Sequence, residues 1–393
     1  MKSQAMRRAS AILILLFTAI SILSCAGGTE ALAKKKKRRH HRKLAGNATM
    51  PTGCPGAKLL RVPADAAMRG PWPVGLRTVH AVGVTADVYY PAALGSDKGA
   101  ELARFDLRDH LPPALAEKIK SAKLPTLSCA CSRDLRIDDK HGPFPVVFFF
   151  HGRGLTRAEF PTLCAHLASR GFVVVSPDLP GVHLADYFEG EVVPDRAAPI
   201  EDLVGAVATP SGELGFLTGR LDGKVGLVGH SLGAYIVQKL IDAHGEVAVV
   251  MGGAGLISRR RVPKLVMGGT ADGFAPFAYQ ARGYETSAPP KRLVGVKGAG
   301  HMQFADHCNV SPEFGGWYGA AVAYGVPFSG FLLKLAEKGC ADAEVPFQQA
   351  HGVILTAVTA QLEETLMCSK GAADSLEELE DRADVGEYRE DLE

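Results

Sequence analysis

The apolar stretches that stand out in this chain are too short to cross a membrane as helices. Ala11 to Leu23 spans 13 residues and Phe144 to Phe150 spans seven, where a spanning helix needs about 20. Net charge is scarce too, with 44 Lys and Arg against 42 Asp and Glu. No internal repeat is visible, which argues against a solenoid. The near-neutrality hides an asymmetry: residues 1–46 carry 11 bases and one acid, residues 371–393 carry 10 acids and two bases, and the stretch between is balanced. A balanced middle implies no basic surface for nucleic acid. With 47% hydrophobic residues in a chain of 393, there is apolar material for one sizeable core.

What the chain does have is Gly229-His230-Ser231-Leu232-Gly233, set between an apolar run, Lys224 to Val228, and a helical pattern, Ala234 to Ala243. That order predicts strand, tight turn and helix. A serine nucleophile on such a turn needs small residues two positions either side, because the strained backbone brings strand and helix together. A plain glycine turn with a serine N-cap has the same letters. The strand-turn-helix context favours a nucleophile at Ser231, with the N–H of Leu232 aimed at a developing oxyanion.

Partners follow in the chain order such an elbow requires, serine then acid then histidine. Pro263 to Thr270 reads as a buried strand running into a loop with Asp272 at its mouth, and Arg292 to Val296 leads to a loop ending in His301. Ser231 would attack, His301 would take and return the proton, and Asp272 would hold the imidazole tautomer. Asp178, at the end of the run Val173 to Pro177, is the reserve choice for the acid; Asp222 and Asp306 are further competitors. Upstream, the strand Phe144 to Phe150 opens into His151-Gly152-Arg153-Gly154. There the N–H of Arg153 would join that of Leu232 in an oxyanion hole. His151 is expected to bond within its loop, and His230 to point away from substrate. No metal and no cofactor is called for.

Strand candidates alternate with helical patterns over Arg157 to Ser169, Leu232 to Ala243, Gly319 to Ala336 and Gln348 to Leu366, which predicts a parallel sheet covered on both faces. The chain resembles an α/β-hydrolase of the dienelactone hydrolase and platelet-activating-factor acetylhydrolase type. The resemblance rests on Gly70 to Thr78, Val88 to Pro91, His151 to Gly154, Leu167 to Phe172, the elbow, and Ala299-Gly300-His301. It implies the α/β-hydrolase fold and ester hydrolysis through an acyl-enzyme, with Ser231, Asp272 and His301 as triad and Arg153 and Leu232 as oxyanion donors. Dienelactone hydrolases proper often carry a cysteine nucleophile. The serine here leans toward the acetylhydrolase and polyester-hydrolase side.

The expected organisation is a signal peptide over 1–25, a basic flexible linker over 26–57, a catalytic domain over 58–370 and a disordered acidic tail over 371–393. Lys2, Arg7 and Arg8 precede the 13-residue apolar stretch as in a secretory signal. Ile22-Leu23-Ser24-Cys25 resembles the lipobox of bacterial lipoproteins, which implies lipidation of Cys25; the rival is cleavage after Ala31-Leu32-Ala33. Either route exports the domain, to the bacterial envelope or beyond, and the basic run Lys34 to Lys43 would sit against an anionic membrane or envelope polymer. Besides Cys25 there are Cys54, Cys129, Cys131, Cys164, Cys308, Cys340 and Cys368. Cys164, on an apolar helical face, is expected free, and the others suit disulfides in an oxidising compartment. A bridge from Cys308 to Cys340 or Cys368 would restrain the His301 loop. Zinc on Cys129, Cys131 and His141 has the wrong spacing.

Arg104 to Lys140 is expected as an insertion over the site, and Phe274, Phe277, Trp317 and Tyr318 as either cleft lining or core. Two function classes follow. One is an envelope serine esterase acting on a small-molecule or lipid ester, possibilities that include phospholipid and polyester. The other is a non-catalytic binding protein that keeps the hydrolase fold.

Overall fold

The apolar runs lie side by side in one sheet, in the computed structural model described at residues 49–50, 53–119, 124–190, 197–253, 258 and 260–393. Its strands are β1 (Val74–Ala81), β2 (Val84–Pro91), β3 (Ser132–Arg133), β4 (Phe144–Phe150), β5 (Val173–Pro177), β6 (Leu221–His230), β7 (Val247–Met251), β8 (Lys264–Gly269), β9 (Lys291–Val296) and β10 (Val385–Asp391). Their lateral order is β10-β9-β8-β7-β6-β4-β5-β2-β1-β3. From β5 across to β9 every pairing is parallel, while β2 runs antiparallel to both β1 and β5, and β10 antiparallel to β9. The expected parallel sheet is therefore present, with antiparallel additions at both ends.

Both faces of the sheet are buried, which is why β4 is apolar at every position. Phe144, Val146, Phe148 and Phe150 point to one face, and Val147 and Phe149 to the other. The first face packs on helices α3 (Ala198–Ala208), α4 (Leu232–His244) and α5 (Phe277–Thr286); the second packs on α1 (Pro161–Ser169) and α8 (Phe347–Leu366). A short helix, α2 (Leu184–Glu189), follows β5. The pattern read as one helix over Gly319 to Ala336 is two, α6 (Trp317–Ala323) and α7 (Gly330–Lys338). Pro327 and the left-handed Gly325 (φ +99°) break it.

The chain leaves β4 for β5 on one side and returns for β6 on the other. The carboxyl ends of β4 and β6 thus flank the point where the winding reverses, where open α/β sheets form their ligand crevices.

The last residues correct an expectation. Residues 371–393 contribute to an ordered end rather than a disordered tail: α9 (Lys370–Glu377) is followed by a short turn of helix and by β10, which closes the sheet beside β9. The acids dominate the composition of this stretch, but Ala372, Leu376 and Leu379 are fully buried and anchor it. Arg292 of β9 also pairs with Glu390, at 3.4 Å, as well as with Glu364 of α8, at 2.6 Å.

Among the described residues, three disulfides join Cys54 to Cys368, Cys129 to Cys131 and Cys308 to Cys340, and Cys164 is free and buried on α1. His141 bonds Asp138 at 2.7 Å. No helix among the described residues is long and apolar enough to cross a membrane. The signal segment, Cys25, the Ala31-Leu32-Ala33 site and the basic run lie outside the described residues.

Candidate active site

The turn after β6 is as tight as the glycine spacing predicts. Ser231 has φ 53° and ψ −116°, a region costly for a residue with a side chain. A Cβ on Gly229 would stand 2.3 Å from the carbonyl oxygen of Gly233, and one on Gly233 would stand 2.0 Å from that of Phe150. Both obstacles are backbone, so no side-chain adjustment relieves them. The Ser231 N–H donates to Met251 O at 2.9 Å, fixing the turn to β7.

Two loops deliver the partners. Asp272 follows β8, and its Oδ1 accepts the N–H groups of Phe274 (2.8 Å) and Ala275 (2.7 Å), which leaves Oδ2 for His301. His301 follows β9; its Nδ1 lies 2.8 Å from Asp272 Oδ2 and its Nε2 lies 3.1 Å from Ser231 Oγ. With the Nδ1–H donating to the carboxylate, Nε2 is left as the acceptor for the serine hydroxyl proton. Both side chains are buried, and the ring of Phe274 stacks on the imidazole with centroids 5.4 Å apart. This arrangement can activate a hydroxyl as a nucleophile and shuttle its proton.

The other histidines hold backbone in place. His230 is buried, its Nε2–H donates to the His301 carbonyl at 3.1 Å, and burial keeps its pKa well below the ordinary value. His151 donates from Nδ1 to Gly152 O at 2.7 Å and accepts the Leu179 N–H at Nε2, 2.9 Å away. Burial lowers it to about 4.

The structure does not bring Asp178 to His301. Asp178 accepts the Arg157 N–H at 3.0 Å and an ion pair from the Arg157 guanidinium, which also approaches Asp87 at 3.4 Å. Burial pushes the Asp178 carboxyl up, but Arg157 and the neighbouring histidines outweigh it and bring the pKa down to about 2. Asp222 approaches Lys224, at 3.8 Å. Asp306 accepts the Thr162 N–H at 2.9 Å, and burial raises it to about 6.

Ser231 and His301 open into a cleft of about 510 Å³ that Arg153, Leu232, Tyr235, Phe274 and Phe331 also line. Leu232 is the first residue of α4, so its N–H is free of intrahelical bonding. The Arg153 side chain turns aside, donating from Nε to Tyr187 Oη, with its guanidinium 5.0 Å from the Phe331 ring centroid. Of the four aromatics named from sequence, Phe274 lines the cleft, Phe277 packs among core residues of the first face, and Trp317 and Tyr318 are fully buried. No described residue of 104–140 lines it, so the described part of that segment does not wall the cleft. It forms a two-residue strand pair and then β3 at the sheet edge, and Trp317 Nε1 donates to Pro125 O at 2.7 Å. Tyr187, Tyr235 and Phe331 escaped the sequence reading because no motif marks them.

A serine elbow, a histidine and a carboxylate at the carboxyl ends of a mostly parallel sheet with helices on both faces define the α/β-hydrolase class. The sequence matches the alpha/beta hydrolase family profile over residues 146–352, and the chain belongs to that family. A ferulic acid esterase from Streptomyces cinnamoneus is similar in fold, with a TM-score of 0.53 and 18% identity over 76% of this chain and 91% of the esterase. No curated protein matches the sequence.

Proposed function

We propose that this chain is a serine hydrolase that cleaves carboxylic esters through an acyl-enzyme. Ser231 Oγ attacks the ester carbonyl as His301 Nε2 takes its proton. Asp272 holds the imidazole and stabilises the cation formed, and the N–H groups of Arg153 and Leu232 donate to the oxyanion. His301 then protonates the departing alkoxide. Water attacks the acyl-enzyme with His301 as base, releasing the acid and restoring Ser231. The observation that carries this reading is His301, 2.8 Å from Asp272 on one side and 3.1 Å from Ser231 on the other.

Within the family we favour the dienelactone hydrolase and platelet-activating-factor acetylhydrolase type with a serine nucleophile, on the motifs from Gly70 to His301. The substrate is a small-molecule or lipid ester, since the cleft walls are mainly apolar and aromatic. Export to the bacterial envelope, with Cys25 lipidated, is part of the proposal, and three disulfides suit an oxidising compartment. A purely binding role gives no reason to keep a strained Ser231 within reach of His301. The test is a chain-length series of nitrophenyl esters run beside phospholipid and polyester substrates, with and without a chelator. Chelator-insensitive turnover of at least one class supports the proposal; no turnover of any, by folded protein, overturns it.

A further inference from the structure

The loops that carry Asp272 and His301 come from separate strands, and a third segment ties them together. Asp342 Oδ2 accepts the N–H of Gly273, the residue after Asp272, at 2.8 Å. Its Oδ1 packs on Gly300, the residue before His301, so closely that a Cβ there would lie 2.1 Å away. The segment around it is fastened to the histidine loop repeatedly. Met302 N–H donates to Gly339 O at 3.3 Å, Glu344 N–H donates to Gly298 O at 2.8 Å, and Gln303 Nε2 donates to Val345 O at 2.6 Å. Cys340 is bonded to Cys308, seven residues beyond His301. Burial lifts the Asp342 carboxyl above the ordinary range, opposed by the backbone N–H groups of Gly273 and His301, with the nearby Asp272 adding to the rise. A surface turn needs no carboxylate at a place so costly to it.

We propose that Asp342 is a positioning residue for the reaction: its carboxylate clamps the loop after Asp272 to the loop before His301 and so sets the contact between their side chains. It touches no reacting atom and acts through the backbone at Gly273 and at Gly300–His301. The inference rests on the triad reading above. Its physical basis is that displacing a proton-transfer group by a fraction of an ångström raises the barrier while leaving the substrate's apolar contacts alone. The clamp therefore affects kcat more than KM.

Asp342→Ala and Asp342→Asn are to be compared by turnover per active site, with sites counted by exhaustive fluorophosphonate labelling so that misfolded protein does not enter. Alanine leaves the Gly273 N–H unpaired and should lower kcat about tenfold with KM changed less than about twofold. Asparagine keeps an oxygen to accept that N–H and should hold kcat within about threefold of wild type. Gly300→Ala, which drives a methyl into Oδ1, should reproduce the alanine loss if Asp342→Ala does not fold. Unchanged turnover per site in Asp342→Ala or Gly300→Ala overturns the clamp, as does an asparagine loss equal to that of alanine. Turnover that survives Ser231→Ala removes the triad and this inference with it, a result distinct from an active wild type indifferent to Asp342.

Discussion

Gly233 lies against the carbonyl of Phe150 with room for a hydrogen and nothing larger, a Cβ there falling 2.0 Å from the oxygen. This contact joins the first turn of α4 to the end of β4, and so joins the helix that follows Ser231 to the His151–Gly154 loop. Gly233→Ala should cost ~3 kcal/mol or more of stability, because the obstacle is backbone in a packed core. Urea unfolding of the variant beside wild type measures this. A midpoint unchanged within error would mean that the elbow is looser than described.

Asp272 and Asp178 should separate cleanly. Asp272→Asn should lower turnover on the order of a thousandfold, since a neutral amide neither fixes the imidazole tautomer nor stabilises its cation. Asp178→Asn should instead destabilise the fold by ~3 kcal/mol or more, because it leaves the Arg157 guanidinium short of a buried partner. Turnover per labelled site and thermal melting, taken on both variants, decide the matter. A larger loss of turnover per site in Asp178→Asn would move the acid to β5.

The fold should be acid-labile. Burial holds His110, His166 and His351 down at about 3 and His151 at about 4, against 6.5 for the free side chain. These groups stay neutral when folded and take up a proton on unfolding below about pH 6.5. Each therefore removes up to ~1.4 kcal/mol per pH unit as pH falls through the window between 6.5 and its folded value. Asp306, raised to about 6, works the other way, favouring the fold at low pH and losing that contribution as pH rises from 3.8 toward 6. Burial raises other carboxyls in the same sense, Asp342 and Glu363 among them, whereas Asp178, held down to about 2, and His230, held well below its ordinary value, work with the four histidines. His351, whose ring nitrogens have no partner among the described residues, is the cleanest probe. Urea midpoints from pH 5 to 8 should show a shallower decline in His351→Phe than in wild type. Identical slopes would mean that His351 is charged in the fold.

Arg153 should influence which esters are accepted. Its guanidinium sits between Tyr187 and Phe331 at the cleft and has no carboxylate partner among the described residues. Arg153→Gln keeps the backbone N–H and removes the charge. The kcat/KM ratio for a nitrophenyl hemiglutarate over the neutral valerate should fall about fivefold, and less in high salt. An unchanged ratio would place the cation away from the bound ester.

The elbow was legible in the sequence because a strained serine turn constrains identity at Gly229 and Gly233, and the loops of Asp272 and His301 followed from chain order after two buried strands. The sheet was legible because parallel strands buried on both faces read as unbroken apolar runs. The acidic end was misread because composition counts every residue alike, whereas Ala372, Leu376 and Leu379 decide whether the segment packs. Asp342, Tyr187 and Phe331 left no local signal. They lie far along the chain from Ser231 and act through tertiary proximity, which single-sequence periodicity does not encode. Disulfide pairing is likewise a matter of Cα separation, so Cys308 kept two candidate partners until the fold placed it 5.6 Å from Cys340.

The most direct measurement is the site of covalent labelling by a fluorophosphonate, read by intact mass and peptide mapping on the folded chain. The account predicts one adduct per molecule, on the peptide containing Ser231, with loss of esterase turnover in step with labelling and neither labelling nor turnover in Ser231→Ala. An adduct on another residue, or turnover that persists in fully labelled enzyme or in Ser231→Ala, would contradict it.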